Sequence, residues 1–298
     1  MPRSLNDDDT RTFQSESMII DAHVHVFPAG FRDRREELII RDATFRELYT
    51  NPKTVMATVG ELTEAMDAAQ VDAAVVVGIG WSEVDLAREA NNHLAEAVAQ
   101  SNGRLIGFCA TNPAWGDDAI VEVERCVAAG LRGIGELHPD TQGFRIDDVA
   151  TMAQLMKTAK QLNLPVLTHA SEPVGHTYQG KGTVTPERLL NFIESFPEQP
   201  IIAAHWGGGL PFYALMPEVG VAMANTYFDS AASPFLYNAQ VFPTTVGLVG
   251  ARKILFGTDY PLIKHQNLLE QIRGSELSTE EQAYITGGNI AELLGVIS

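Results

Sequence analysis

Eight short apolar runs recur along the 298-residue chain, and segments with helix-like periodicity separate them. Most runs are continuously apolar rather than alternating, which is typical of parallel strands covered by helices. The predicted strands cover residues 18–26, 72–79, 104–110, 131–137, 164–169, 200–206, 221–228 and 253–258. Eight such units favour an α/β fold of the (β/α)8 TIM barrel type, which typically needs about 250 residues.

Helical patterns with apolar residues at three-and-four spacing fill the gaps between the strands. They cover residues 61–70, 83–100, 117–129, 147–162 and 185–196. Ser278 and Glu281 form a capping box before the last helix. The alternative fold, an open doubly wound sheet, predicts a glycine-rich G-x-G-x-x-G turn, and the sequence contains none.

The sequence shows no internal repeat and no low-complexity linker, so we expect a single catalytic domain over residues 18–298. Residues 1–17 are polar and carry no apolar signal segment, which predicts a disordered N-terminal tail. No run of 18 apolar residues occurs, so we expect a cytoplasmic protein without a membrane span. Cys109 and Cys126 lie in apolar segments and are expected to be buried free thiols.

The chain carries 38 acidic and 21 basic residues, for a net charge of −17. A field of that sign repels phosphate backbones and anionic lipid, which argues against nucleic-acid and membrane partners. A small-molecule substrate is therefore the expected partner.

Titratable side chains gather at the ends of the predicted strands. In barrels of this kind the chemistry takes place at the carboxyl ends of the strands. Seven of the eight histidines follow or end a predicted strand, namely His23, His25, His138, His169, His176, His205 and His265. Glu136 and Asp259 end the fourth and eighth strands. Such a concentration predicts an active site at this end.

The stretch "DAHVH" places His23 and His25 two residues apart on one strand. Side chains at this spacing share a face, so both imidazoles can converge on one ion. With single histidines ending strands 5 and 6 and Asp259 ending strand 8, they predict a divalent metal site. Imidazole and carboxylate ligands suit zinc first, with manganese, iron or cobalt as alternatives.

Alternation along this first strand gives two further expectations. Asp21 has the same parity as the two histidines and is expected to support them from deeper in the barrel. The even-numbered residues Ile20, Ala22, Val24 and Val26 are expected to pack against the helices.

The motifs "DAHVH", "LTHA", "AAHWGG" and "FGTDYP" resemble those of the amidohydrolase superfamily. They are most similar to its amidohydrolase-related branch, which includes aminocarboxymuconate-semialdehyde decarboxylase and related hydrolases. The closing "ITGGNIAELLGV" resembles the C-terminal helix of that branch, although Asn289-Ile290 replaces the usual Asn-Ala pair. The resemblance implies a distorted (β/α)8 barrel with a catalytic divalent metal and no organic cofactor. Branch members are often dimers, so a homodimer is expected from the resemblance alone.

Carried over by position, the resemblance makes His23, His25, His169 and Asp259 the ligands of a single metal. It makes His205 a residue that acts on substrate or water. Many binuclear relatives bridge their metals with a carbamylated lysine from strand 4, where this chain has Glu136. A second metal held by Glu136, His169 and His205 therefore stays open.

We expect first a hydrolase acting on an ester, lactone or amide of a small carboxylated or aromatic compound. A metal lowers the pKa of bound water toward about 7. Asp259 would then transfer the proton and His205 would stabilise the oxyanion. A non-oxidative decarboxylase or a hydratase at the same site are the alternatives. A non-catalytic binding barrel is disfavoured, because no ligand is missing.

Substrate contacts are less constrained by the sequence. Trp81 and Trp206 follow strands 2 and 6 and are expected either to line the substrate pocket or to pack at its rim, and His138 and His176 are further candidates. The segment 27–58 reads either as a solvated mixed-charge region or as a source of one arginine for a substrate carboxylate. Its basic residues are Arg32, Arg34, Arg35, Arg41, Arg46 and Lys53. The loop 171–184 is a second candidate lid.

Overall fold

The computed structural model describes residues 18–296, in which eight parallel strands form one sheet in the order β1 to β8. The strands are β1 Ile20–His25, β2 Ala73–Val77, β3 Leu105–Cys109, β4 Gly133–Leu137, β5 Val166–Thr168, β6 Ile201–Ala203, β7 Thr226–Asp229 and β8 Ile254–Leu255. With helices between consecutive strands, this arrangement confirms the predicted (β/α)8 barrel. The predicted tail, residues 1–17, and the last two residues lie outside the described range.

The chain around β8 returns to β1 and nearly closes the barrel. Three backbone hydrogen bonds join the two sides: Ala22 N to Phe256 O at 2.7 Å, Asp259 N to His23 O at 2.9 Å, and His25 N to Tyr260 O at 2.8 Å. A single isolated bridge, between Val24 and Tyr260, is the only ladder pairing recorded there for the described residues. The closure is therefore made by loop backbone rather than by a regular strand pair.

A register shift interrupts β1 between Asp21 and Val24. Asp21 pairs with Ala74 of β2 and Val24 with Val76, so three residues of β1 advance against two of β2. Because one extra residue reverses the faces to which side chains point, Asp21 faces the helices whereas the two histidines face the barrel interior. The expectation that Asp21 shares the histidine face is therefore wrong.

The same shift divides the apolar residues of β1 between two cores. Val24 and Val26 pack in the large core between strands and helices, as expected. Ile20 and Ala22 instead pack inside the barrel, against residues from the other strands that include Val75, Leu167, Ile202 and Leu255. Ile290 of the C-terminal helix joins this interior core.

The helices agree with the predicted patterns and include several that the sequence patterns did not predict. The helices are Arg35–Arg41, Ala43–Tyr49, Val59–Ala69, Val84–Gln100, Asp117–Ala128, Pro139–Gln142, Val149–Gln161, Pro186–Ser195, Pro217–Ala222, Ser233–Leu236, Val241–Val249, His265–Arg273, Thr279–Ala283 and Asn289–Leu294. Short 3-10 turns cover Ala29–Phe31, Pro113–Trp115, Leu210–Tyr213, Met223–Asn225 and Ala251–Lys253, and Tyr284–Gly288 is a π-helical turn.

Local signals fixed several helix ends. The capping box of Ser278 and Glu281 forms as predicted, and a second one joins Thr58 to Glu61. β7 begins only at Thr226, because residues 221–225 of the predicted strand 221–228 are helical. Cys109 and Cys126 are buried and free. None of the described helices combines the length and hydrophobicity needed to cross a bilayer.

Candidate metal centre

Six metal-type donors from five barrel segments meet at the carboxyl ends of the strands. They form two groups, in each of which the ligand atoms lie within 4.8 Å of one another: His23, His25 and Asp259, and Glu136, His169 and His205. The donor set of four imidazoles and two carboxylates suits a divalent first-row metal.

The first group has the spacing of a metal site. His23 Nε2 lies 3.2 Å from His25 Nε2, which in turn lies 3.2 Å from Asp259 Oδ1. Metal–nitrogen and metal–oxygen bonds of about 2.0–2.2 Å in tetrahedral geometry separate neighbouring donors by roughly 3.3–3.6 Å. The three atoms can therefore coordinate one ion with little movement.

Glu136 belongs to the second group but also faces the first. Its Oε1 is 3.1 Å from His169 Nδ1 and 3.5 Å from His205 Nε2. Its Oε2 is 3.6 Å from His23 Nε2 and 3.7 Å from His25 Nε2. One carboxylate thus faces the ligand nitrogens of four histidines.

Asp229 at the end of β7 is a supporting residue that the sequence analysis missed. It is fully buried. Its Oδ2 lies 2.8 Å from His23 Nδ1, and its Oδ1 accepts hydrogen bonds from the backbone N–H groups of His205 at 2.9 Å and Ala231 at 3.1 Å. A carboxylate behind a ligating imidazole fixes its tautomer and orientation. The signal was available, since in "TYFDS" an acid directly follows the predicted strand 221–228.

The remaining histidines are also held through their second ring nitrogen. His25 Nδ1 lies 3.3 Å from Val77 O, and His205 Nδ1 lies 3.2 Å from Ala231 O. His169 Nε2 lies 3.2 Å from Ser171 Oγ. In each ring the other nitrogen points into the group of donors, as it must for a lone pair to reach a metal.

An unusual backbone conformation orients two of the donor side chains, those of His205 and Asp259. His205 and Trp206 have φ of 56° and 59°, and Asp259 has φ of 60°, which are unusual for residues with a side chain. Non-glycine residues held in this region concentrate at functional sites. The run continues through three glycines, and a Cβ on Gly208 would lie 2.3 Å from the carbonyl oxygen of Ser171.

Asp21 is a buried support on the helix side of β1. It accepts hydrogen bonds from the backbone N–H of His23 at 3.0 Å and of Thr258 at 3.1 Å, and it also accepts from the Thr258 hydroxyl. His265 Nε2 lies 3.3 Å from its Oδ2. Burial raises the pKa of Asp21 despite these partners. Asp21 thus joins β1 to the backbone that precedes Asp259.

Neighbouring carboxylates raise the pKa of two histidines of the centre, and histidines lower the pKa of Glu136. Burial alone would lower the pKa of His23, but Asp229 and Glu136 raise it well above its ordinary value. Burial likewise opposes the imidazolium of His205, yet Glu136 and Asp259 raise its pKa to about 9. Hydrogen bonds from histidines outweigh burial and lower the pKa of Glu136 well below its ordinary value. The field at the centre therefore favours positive charge.

A cavity of about 540 Å³ opens above the centre. Its base includes His25, Glu136, His169, His205 and Asp259. Its walls are largely apolar and include Leu48, Ile79, Ala232, Phe235, Leu236 and Leu262. A concave, mostly apolar site with a few convergent polar groups is what a small-molecule ligand requires.

Two of the four predicted substrate contacts line this cavity. His176 does so from the loop 171–184, and His138 does so beside His169, on which its ring stacks at 4.4 Å. Burial lowers the pKa of His138 to about 4, so this side chain is neutral. Its two ring nitrogens contact Thr141 Oγ1 and Gly180 O.

Trp81 and Trp206 do not line the cavity, so of the two alternatives for these side chains the structure supports packing. Trp81 is 1% exposed and packs among Phe27, Phe31 and Phe45. Trp206 is wholly buried, and its Nε1–H donates to Ser233 Oγ at 2.6 Å. Both rings follow strand ends but point into the protein, so they support the rim rather than contact the cavity.

The arginines of segment 27–58 are bound elsewhere, and none of them is among the cavity-lining residues described. Three of them donate hydrogen bonds to acidic side chains: Arg32 to Glu61, Arg34 to Glu37 and Glu89, and Arg41 to Glu37 and Glu83. Arg32 also donates to the backbone carbonyl of Met56. The other two donate to backbone carbonyls only: Arg35 to those of Tyr49 and Thr54, and Arg46 to that of Ile39. Among the described residues that line the cavity, Lys53 is the one lysine or arginine.

The sequence model described as "Amidohydrolase" matches residues 20–296, nearly the whole described chain. The chain belongs to this amidohydrolase family. Within the family, a 2-amino-3-carboxymuconate-6-semialdehyde decarboxylase from Dictyostelium discoideum is 25% identical over 94% of this chain and 92% of its own length. A gamma-resorcylate decarboxylase from Polaromonas sp. is 27% identical over 70% of this chain and 76% of its own.

Solved structures share the fold. A 5-carboxyvanillate decarboxylase from Novosphingobium aromaticivorans, in complex with manganese and 4-hydroxy-3-methoxy-5-nitrobenzoic acid, superposes with a TM-score of 0.76 at 17% identity, over 95% of this chain and 97% of its own. A dihydroxybenzoic acid decarboxylase from Polaromonas sp., with manganese and 2-nitroresorcinol bound, gives a TM-score of 0.73 at 19% identity, over 94% and 97% of the two chains.

Proposed function

We propose that this chain is a metal-dependent, non-oxidative decarboxylase of a small aromatic or conjugated carboxylic acid. The observation that carries the proposal is that both curated relatives are decarboxylases and each alignment covers more than two thirds of this chain. This similarity favours the decarboxylase alternative over the hydrolase that the sequence analysis put first. The intact set of donors at the base of the cavity is consistent with it.

The reaction breaks the bond between the carboxylate carbon and the carbon that bears it. Carbon dioxide leaves, the bonding electron pair stays on the substrate carbon, and a proton takes the vacated position. His23, His25 and Asp259 would hold a divalent metal, which when bound would supply Lewis-acid polarisation of a substrate oxygen. Asp259 borders the cavity and is the residue that we assign to proton transfer. His205 is assigned a hydrogen bond to a substrate oxygen.

The metal is proposed to be manganese or zinc. Imidazole and carboxylate donors accommodate both ions. Manganese is supported by the two similar structures, which contain it. The zinc expected from the donor types alone is retained as the alternative.

The cavity suggests the shape and charge of the substrate. A volume of about 540 Å³ with apolar walls accommodates a planar ring. Lys53 is exposed at the mouth and can attract an acid group on the part of the substrate that faces away from the metal. We therefore propose an aromatic acid with an additional anionic or polar substituent.

Hydrolysis of an ester or lactone is the second candidate. The specific observation in its favour is that donors lie on both sides of Glu136, as in two-metal hydrolytic sites. Under this reading Asp259 accepts a proton from the attacking water rather than delivering one to carbon.

A substrate screen with two detectors separates these candidates. Protein loaded with Mn²⁺ or Zn²⁺ is incubated with hydroxybenzoic acids, and CO₂ is measured; the same protein is incubated with aryl esters and lactones, and acid release is measured. Release of CO₂ that Asp259→Asn abolishes and Asp118→Asn retains is expected, because Asp118 is exposed and belongs neither to the cavity lining nor to the donor groups. Ester or lactone hydrolysis with no CO₂ from any acid would refute the decarboxylase proposal.

A further inference from the structure

We propose that His138 is a positioning residue that joins the loop 171–184 to the donor histidine His169, and that the tautomer of its ring decides whether this loop is held closed. His138 directly follows β4 and is 2% exposed. It belongs to neither donor group. Because this role concerns the position of the loop and not the bond that is broken, it goes beyond the proposed function and does not depend on it.

The loop 171–184 forms one wall of the cavity. Four of its residues line the cavity, namely His176, Tyr178, Gln179 and Gly180. Within the described chain, the recorded hydrogen bonds of residues 173–179 all stay inside the loop, such as those from Lys181 Nζ to the carbonyl oxygens of Val174 and His176. The segment that follows this tip therefore holds the loop over the cavity.

Gly180 is the first residue after the tip that bonds to another part of the barrel. Its N–H donates to Glu47 Oε1 at 3.2 Å, and its carbonyl oxygen lies 3.2 Å from His138 Nε2. Its φ of 87° favours glycine, and a Cβ there would lie 2.6 Å from Leu48 Cδ2. At this residue the loop is thus closely fitted to the helix Ala43–Tyr49 and to His138.

The hydrogen bonds of His138 continue into a chain that has a carbonyl oxygen at each end. Thr44 Oγ1 lies 2.6 Å from Gly80 O and 2.6 Å from Thr141 Oγ1. Thr141 Oγ1 lies 2.9 Å from His138 Nδ1, and Nε2 of the same ring faces Gly180 O. Each of these four contacts needs one proton, because carbonyl oxygens only accept. The two hydroxyls and a neutral imidazole supply three.

The imidazole of His138 is neutral, because burial lowers its pKa to about 4. In the Nε2–H tautomer the ring donates to Gly180 O and accepts from Thr141, so the contact between Thr141 and Thr44 lacks a proton. In the Nδ1–H tautomer the ring donates to Thr141, both threonine contacts form, and Gly180 O faces a lone pair. A further acceptor near Thr141, the carbonyl oxygen of His138 at 3.2 Å, only increases the shortage. Because a buried polar contact without a proton is costly, the loop and the threonine pair compete for one proton.

The same ring also supports a metal donor. The imidazoles of His138 and His169 stack with their centroids 4.4 Å apart and their planes at 23°. His138 is fixed from behind, since a Cβ on Gly80 would lie 2.6 Å from His138 Cβ, and its backbone N–H donates to Gln142 Oε1 at 2.9 Å. A ring held in this way restricts the orientation of His169, and supports of this kind influence metal affinity.

Thr44→Val tests the competition, because it removes one hydroxyl and leaves a chain in which Thr141 can donate to His138 and His138 to Gly180 O. We expect the loop to be held more firmly, so amide exchange of residues 173–180 should slow by roughly 3–10-fold in hydrogen-exchange mass spectrometry of the full-length protein. Thr44→Ser keeps the hydroxyl and should exchange as wild type does. Unchanged exchange in Thr44→Val, or the faster exchange that loss of a purely structural hydrogen bond would give, overturns the proposal.

Two substitutions at His138 separate its two contacts. His138→Gln can still donate to Gly180 O but lacks the ring, so the loop should stay protected while Mn²⁺ affinity falls by roughly tenfold in competition with a chromophoric chelator. His138→Phe keeps a ring against His169 but cannot donate, so exchange in the loop should accelerate while Mn²⁺ affinity stays close to that of wild type. The same response in both variants overturns the joining role of His138.

Nuclear magnetic resonance of the Zn²⁺-loaded wild-type protein gives a test that needs no variant. We expect ring-nitrogen shifts of His138 that lie between those of the two neutral tautomers. A ring present as a single tautomer, or protonated on both nitrogens near neutral pH, overturns the proposal. None of these measurements uses a substrate, so a failure of the decarboxylase proposal and a failure of this one can be told apart.

Discussion

Asp229 Oδ2 lies 2.8 Å from His23 Nδ1, and the other oxygen of the same carboxylate accepts the backbone N–H of His205. One buried acid at the end of β7 therefore orients histidines that belong to the two different donor groups. The position of Asp229 therefore fixes His23 of the first donor group relative to His205 of the second.

Asp229→Asn tests this relationship. The amide can no longer stabilise the Nδ1–H form of His23 as a carboxylate does, so metal affinity should fall by about 10–100-fold. The measurement is a titration of stripped protein with Mn²⁺ in competition with a chromophoric chelator. Asp118→Asn, the exposed control, should bind as wild type does; equal affinity in both variants would show that Asp229 does not support the centre.

Gly208→Ala should disrupt the turn that carries His205. An added Cβ would meet Ser171 O at 2.3 Å, and φ of 60° adds strain for any side chain. Gly143 also has a left-handed conformation, with φ of 79°, but open space around its missing Cβ. Gly143→Ala should thus lower the free energy of unfolding by only about 1 kcal/mol. Gly208→Ala should lower it clearly more and should also cause loss of bound metal. Similar unfolding free energies for the two variants in urea would contradict the close contact.

Lys53→Met should weaken substrate capture rather than chemistry. The exposed ammonium can contribute about 1 kcal/mol to binding an acid group, which corresponds to roughly a fivefold rise in KM. Steady-state kinetics at low and high salt should show this rise with kcat nearly constant, and screening should reduce it. Lys157→Met, on an exposed helix position, is the matched control. An unchanged KM for every doubly charged substrate would exclude this role.

Metal removal should reverse how stability depends on pH. In the chelated protein the folded-state pKa of His205, about 9, exceeds its ordinary value of 6.5. Its contribution to stability is therefore present below pH 6.5 and is lost as the pH rises toward 9. The loaded protein should behave oppositely, since ligand histidines must be neutral to bind metal and protons displace it as the pH falls. Thermal melts of both forms from pH 6 to 9 test this; parallel curves would contradict it.

The barrel and its strand-end chemistry could be predicted because both follow from local patterns. Continuous apolar runs indicate covered parallel strands, and polar residues that end such runs must meet at one edge. The histidines of "DAHVH" and Asp259 of "FGTDYP" were placed correctly for this reason.

The prediction was wrong, or left two alternatives open, where a single residue or rotamer decides which way a side chain points. Strand alternation cannot reveal the register shift in β1, since the extra residue is defined by pairing with β2, and so Asp21 was given the wrong face. Sequence position also cannot show that the Trp81 ring turns into the aromatic cluster. The arginines of segment 27–58 satisfy acids and carbonyls that become neighbours only after the segment has folded.

The closure of the barrel between β8 and β1 has a consequence for folding. Few hydrogen bonds join these two edges, yet His23, His25 and Asp259 stand on opposite sides of that junction. An ion bound there would cross-link the first strand to the chain segment after the last strand, more than 230 residues away along the chain. Amide protons along this junction should therefore exchange much faster in chelated protein than in loaded protein, while those between β2 and β3 change little.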